Sequence, residues 1–150
     1  QEVSNMGQQQ LLLLVLGIVI VGLAVVVGIQ SFSENQVKAN ADAQVNDAIR
    51  IASDAQAWNL KPTAFGGGNG AFTALTLAKL GYETNTAGAY TNLNGEYTLA
   101  INSGAVRITG FNTTLGTGVA MVVCGTTPSN IATQVSTGLT AAPTTFPTCT

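Results

Sequence analysis

The chain has 150 residues, enough for one domain with a proper core. Only 8 % of the residues are charged, against a usual share of about 25 %. A net charge of −2, five Lys and Arg in all and no histidine exclude an electrostatic nucleic-acid surface, the commonest general base and the commonest metal ligand. The polar remainder is Thr, Asn, Gly, Ser and Gln, which suits an exposed extracellular surface better than a cytoplasmic one.

The first ten residues, "QEVSNMGQQQ", carry one acid and no base. Gln rather than Met at position 1 suggests that a preceding segment was removed. Then comes "LLLLVLGIVIVGLAVVVGI", residues 11–29, without a charge, a hydroxyl or an amide side chain. At 1.5 Å per residue it spans roughly 28 Å as a helix, close to the bilayer hydrocarbon thickness of about 30 Å. It is too long for a signal-peptide core of about 7–15 residues, and its flank lacks the required cation. A helix apolar on every face needs cover on every face. The remaining chain is too small to supply that cover, which leaves lipid or a bundle of identical helices. The residues needing shelter are Leu11, Leu12, Leu13, Leu14, Val15, Leu16, Ile18, Val19, Ile20, Val21, Leu23, Val25, Val26, Val27 and Ile29. Gly17, Gly22 and Gly28 interrupt them at spacings of five and six, so the small-xxx-small dimer pattern is missing. Gly17 and Gly22 mark a place for local unwinding or bending. Gln8, Gln9 and Gln10 offer side-chain amides for bonds between copies, or else belong to a solvated extension.

From Gln30 the composition changes while the helical period continues, with no Pro or Gly up to Trp58. Val37, Ala41, Val45, Ala48, Ala52 and Ala55 recur at three- and four-residue steps and form one apolar stripe. Glu34 with Lys38, and Arg50 with Asp54, are i,i+4 pairs that support a helix and signal no site. One continuous helix is expected from about residue 3 to residue 58, roughly 80 Å long. Its alanine and valine stripe needs a partner. The small head alone is a poor cover for it, whereas in a helical array one side meets the head and the other meets neighbours.

"KPTAFGGGNGAF" ends the helix at Pro62 and its glycines. "GGGNG" lacks the Lys-Ser/Thr ending of a phosphate-binding loop and does not lie between strand and helix. "FTALTLAKLG" reads as a short helix capped by Gly81. Alternation of Tyr97, Leu99 and Ile101, of Val106 and Ile108, and then "VAMVVC", with glycine-bearing turns between them, predicts an antiparallel meander of three or four strands. Residues 125–150, rich in Thr, Ser and Pro, read as loop with at most one edge strand. Cys124 and Cys149 cannot complete a zinc site without further Cys or His. A disulfide in an oxidising compartment is the reading they support, and two reduced thiols are the alternative. Asn112-Thr113-Thr114 matches the N-glycosylation sequon. The expected fold class is α+β: a stem over residues 1–58 and a head over residues 59–150.

The seven carboxylates, Glu2, Glu34, Asp42, Asp47, Asp54, Glu83 and Glu96, form no local catalytic signature. No catalytic residue, cofactor or metal site is expected. No aromatic residue precedes Phe32, so the stem offers no ring ladder for electron conduction.

An apolar helix running unbroken into an amphipathic one, a glycine-bearing connector, an antiparallel sheet and Cys124 with Cys149 near the C-terminus: in this order the whole chain resembles a type IV pilin. The resemblance implies a structural subunit that is inserted in the inner membrane first. Pilus assembly machinery then packs it into an extracellular homopolymeric filament, helices inside and heads outside. It implies helix unwinding in the filament near Gly17 and Gly22, and a glutamate that pairs with a neighbour's terminal amine, for which Glu2 is the candidate. The N-terminus departs from the pattern: a ten-residue polar segment precedes the apolar helix, and cleavage after Gly7 would leave no acid near the new terminus. A single-pass membrane-anchored extracytoplasmic binding domain is the alternative function. No nucleic-acid partner is expected.

Overall fold

The structure is a computed structural model that describes residues 2–149, with side chains from Asn5 onward outside the C-terminal residue. It is α+β: one helix, α1 (Glu2–Leu60), followed by a five-stranded antiparallel sheet. The strands are β1 (Tyr90–Thr91), β2 (Glu96–Asn102), β3 (Ala105–Asn112), β4 (Thr117–Val123) and β5 (Ile131–Ser136), and their spatial order is their chain order. By packing, the chain divides within α1 into Gln1–Gln36 and Val37–Thr150. The amphipathic part of the helix therefore belongs to the head.

Within Val37–Thr150 the sheet lies on the helix. Ala41, Ala48, Ala52 and Ala55 are buried, together with Ile51 and Trp58. Ala48, Ile51, Ala52, Ala55 and Trp58 share one core with Tyr97 from β2, Val106 and Ile108 from β3, and Val119, Met121 and Val123 from β4. Small alanines on the helix face larger side chains on the sheet, which fill the space between the two layers. The expectation that the stripe needs a neighbouring copy is corrected here: the chain's own head covers it. The longest continuous apolar stretch left without cover among the described residues is that of residues 11–29.

The β2–β3 hairpin turns on Ser103 and Gly104, both at positive φ (50° and 80°), as a two-residue turn that matches strand twist requires. The expected helix at "FTALTLAKLG" shrinks to one 3-10 turn, Ala78–Leu80, ended by Gly81 at φ 90°. Phe72, Leu75 and Leu77 are all buried, and a spacing of three then two does not lie on one helical face. The sheet has two strands more than the minimum expected. β1 has only two residues, and β5 lies inside the Thr/Ser-rich tail.

Every residue of β4 is buried. Thr117, Val119, Met121 and Val123 face the helix side, while Gly118, Ala120 and Val122 face outward under the C-terminal tail. A Cβ on Gly118 would lie 2.7 Å from Leu139 Cδ1 and from Pro143 Cγ, so only glycine admits the tail there. The Leu139 amide donates to the Gly116 carbonyl (2.8 Å), and the Phe146 ring sits 4.8 Å from the Arg107 guanidinium carbon. Cys149 then bonds to Cys124, one residue past β4, so the expected disulfide is present.

Candidate functional site

Two features of the molecule bear on function. The first is the surface of residues 11–29. All fifteen large apolar side chains named from the sequence are exposed, at 52–71 %. A Cβ at Gly17, Gly22 or Gly28 would meet nothing within 4 Å. The helix is long and apolar enough to cross a membrane by length and composition, and none of its most apolar window is buried. In this single chain α1 stays helical through Gly17 and Gly22, without a break. The side chain of Glu2 lies outside the described residues.

The second feature is a set of polar contacts that binds the head to its own helix segment. Asp47 Oδ2 accepts from Asn92 Nδ2 (2.8 Å), Asn94 Nδ2 (2.7 Å) and the Tyr97 hydroxyl (2.9 Å). The Asn94 carbonyl in turn accepts from Asn40 Nδ2 (3.1 Å), Gln44 Nε2 (3.0 Å) and Asn112 Nδ2 (3.0 Å). Gln44 is fully buried and also donates to Thr117 Oγ1 (3.1 Å), whose hydroxyl donates to Asn40 Oδ1. Asp54 Oδ2 takes the Tyr82 hydroxyl (2.5 Å), and Arg50 lies over the Tyr82 ring. Gln56 Nε2 donates to the Gly125 (2.8 Å) and Thr127 (3.2 Å) carbonyls beyond β4. Side chains on both flanks of the helix's buried stripe thus clamp the β1–β2 turn, β4 and the β4–β5 connection. These amides escaped the sequence reading, which followed carboxylates and apolar periods. The one available signal was the density of asparagine at residues 92–94 beside a glycine.

Burial pushes the Asp47 carboxyl up, but the bonds from Asn94, Asn92 and Tyr97, with the Arg50 charge, outweigh it and hold it below its ordinary 3.8. A carboxylate depressed in the folded state contributes stability that is present above its unfolded value and lost as the pH falls through the folded one. Burial, then the bonds to Asp47 and Asp54, push the Tyr97 and Tyr82 hydroxyls above their ordinary 10.0. Their contribution is present below that value and lost as the pH rises past it. Stability of the head is expected to form a plateau that falls below about pH 4 and above about pH 10. Asp47→Ala leaves three donors without their acceptor and is expected to cost about 2–4 kcal/mol at pH 7. The acid limb of the profile should shrink with it. Urea denaturation of both proteins across pH checks the cost and the change in slope; an unchanged acid limb would assign that limb to other groups.

The sequon residue Asn112 is committed to the fold. Its Nδ2 donates to the Asn94 carbonyl, and its Oδ1 accepts from the backbone amides of Thr114 (2.9 Å) and Leu115 (3.1 Å). A glycan on Nδ2 would leave it one N–H and would have to fit beside the part-buried contact to Asn94. Intact-mass measurement of the protein from its own cells is expected to show no N-linked sugar at Asn112.

Among the described residues no group of three or more His, Cys, Asp or Glu side chains is placed to hold a metal. The chain matches no family of known proteins, no curated protein and no solved structure.

Proposed function

We propose that this chain is the structural subunit of a type IV pilus-like extracellular filament, polymerising through its apolar N-terminal helix after an interval in the inner membrane. The supporting observation is an apolar helix exposed on every face and lacking the residues that settle a helix in a bilayer. Residues 1–10 contain no Lys or Arg, and the first cation beyond the run, Lys38, comes nine residues after Ile29. No Trp or Tyr precedes Trp58. A permanent single-pass anchor is usually positioned by such cations and aromatic rings. A helix that leaves the bilayer for a bundle of its own copies has no need of them. The subunit's role is structural, with no catalytic step.

The membrane-anchored binding domain is the competing reading, since lipid shelters the same surface. Detergent removal from the purified full chain, followed by electron microscopy, separates the two. Long thin fibres made of this chain alone support the filament. Proteoliposome incorporation without fibres, and confinement to the membrane fraction in cells, would support the anchor.

A further inference from the structure

The sheet ends in two open edges. β5 pairs only with β4, so no strand lies along its other side. At the opposite edge β1 pairs only with Glu96 and Tyr97 of β2, which leaves residues 98–102 without a neighbour there. Among the described residues, no backbone hydrogen bond from another segment reaches either free stretch, apart from the ladders to β3 and β4. A row of unpaired N–H and C=O groups is a template for another strand, and edge strands are ordinarily blunted by charge, proline or a bulge. Residues 98–102, "TLAIN", and 131–136, "IATQVS", carry no charge and no proline. Both ladders run without a bulge.

Exposed apolar side chains mark the same two strands. Among the described residues, the exposed large apolar side chains within the sheet are Ile101 and Val135, at 38 % and 44 %, one on each open strand. Both lie on the helix side of the sheet. Ile101 follows the core residues Tyr97 and Leu99 in steps of two, and Val135 lies opposite the core residue Val119. Thr133 and Gln134 beside Val135 are exposed as well, so β5 is open on both faces and along its edge. Strand direction alternates through the sheet, so β5 runs opposite to β2. A second copy in the same orientation, set beside β5, brings its own β2 there and continues the antiparallel order.

We propose that β5 of one copy pairs with residues 98–102 of β2 in the next copy, in line with that copy's β1. The occupant of each edge is a second copy of this chain. Two conditions set the register. Helix-side residues must oppose helix-side residues, and all five free positions of β2 must meet β5. One alignment satisfies both: Val135 opposite Leu99, Thr133 opposite Ile101, and Gln134 opposite Ala100 on the outer side. Val135 then lies against Leu99 with Ile101 on the diagonal, and both exposed apolar side chains gain cover. The contact is heterologous: each copy offers β5 to one neighbour and β2 to another, so the series continues without closing unless the rotation returns on itself. Pairing of like edges, β5 with β5, would instead reverse one copy against the other. The inference rests on the filament reading and names the contact between heads.

The test is disulfide trapping in the full chain. Ala100→Cys with Gln134→Cys, both at exposed positions, puts one thiol on each strand of the contact. After assembly by detergent removal and mild oxidation, non-reducing electrophoresis should show a ladder of multimers that collapses on reduction. Mass spectrometry should find the 100–134 bond between copies, with Cys124–Cys149 intact. Ala100→Cys with Thr133→Cys, on opposite faces of the sheet, should give no ladder. Charge gives a second readout. Ala100→Glu with Gln134→Glu is expected to leave the thermal midpoint unchanged and raise the concentration needed for fibres about threefold or more. Ala100→Glu with Gln134→Lys should restore it. Fibres that lack the 100–134 bond and ignore charge at these positions would overturn this contact and leave the filament standing. Crosslinked dimers from Gln134→Cys alone would overturn it in favour of like-edge pairing. No fibres from the unsubstituted chain would remove both.

Discussion

A chain starting at Val37 is expected to be a folded monomer in detergent-free buffer, while the full chain is not. Removing residues 1–36 takes away no buried side chain among those described: the first is Ala41. The core of Ala48, Ile51, Ala52, Ala55 and Trp58 against the sheet remains whole. So do the clamps from Asn40, Gln44, Asp47, Asp54 and Gln56. The new helix start would fray by about a turn before the first clamp at Asn40. The full chain instead presents sixteen apolar side chains from residues 11–29 to water. Burying them is worth on the order of 25–50 kcal/mol as an upper bound, far above the stability of an ordinary domain. Analytical ultracentrifugation and a thermal melt check both halves of the expectation. An unfolded fragment would mean that the stem belongs to the fold of the head. A full chain sedimenting as a single molecule without detergent would end the assembly reading.

The second large effect is expected from Cys124→Ala with Cys149→Ala. The bond joins residues 25 apart. In the chain-entropy account its removal costs about 3–4 kcal/mol, a fall in melting temperature on the order of 10–20 °C for a domain of this size. The tail it holds covers the outer side of β4, where Ala120 and Val122 are 1 % and 3 % exposed. Besides the disulfide, the tail is held there by the Leu139 amide and the contacts of Pro143 and Phe146. Limited proteolysis should therefore cut first within residues 137–148 of the double variant, with the sheet signal in circular dichroism retained. A melting point and a cleavage pattern equal to wild type would show that tail packing alone suffices.

Much of the fold is legible in the residues because it is local. An uninterrupted helical period from the apolar run to Trp58, with Pro62 and glycines after it, determines α1 to within two residues at each end. Period-two alternation with Ser103-Gly104 between two strands determines the β2–β3 hairpin and its register. The absence of polar atoms over residues 11–29 determines that this surface must be dry somewhere.

What local pattern could not carry is the pairing of distant parts. Phe72, Leu75 and Leu77 looked helical by composition, yet the core took all three and left one 3-10 turn. The alanine stripe said that something covers it; only the sheet laid across it shows that the cover is the chain's own head. Asn40, Gln44, Asn92, Asn94 and Asn112 have no periodic signature. They act because a helix, a turn and two strands bring amides and carbonyls within about 3 Å of one another. Short-range spacing therefore determined the elements, since backbone periodicity is a property of neighbours in sequence. Tertiary packing alone decided the clamp and the covered outer side of β4, because those contacts join residues tens of positions apart.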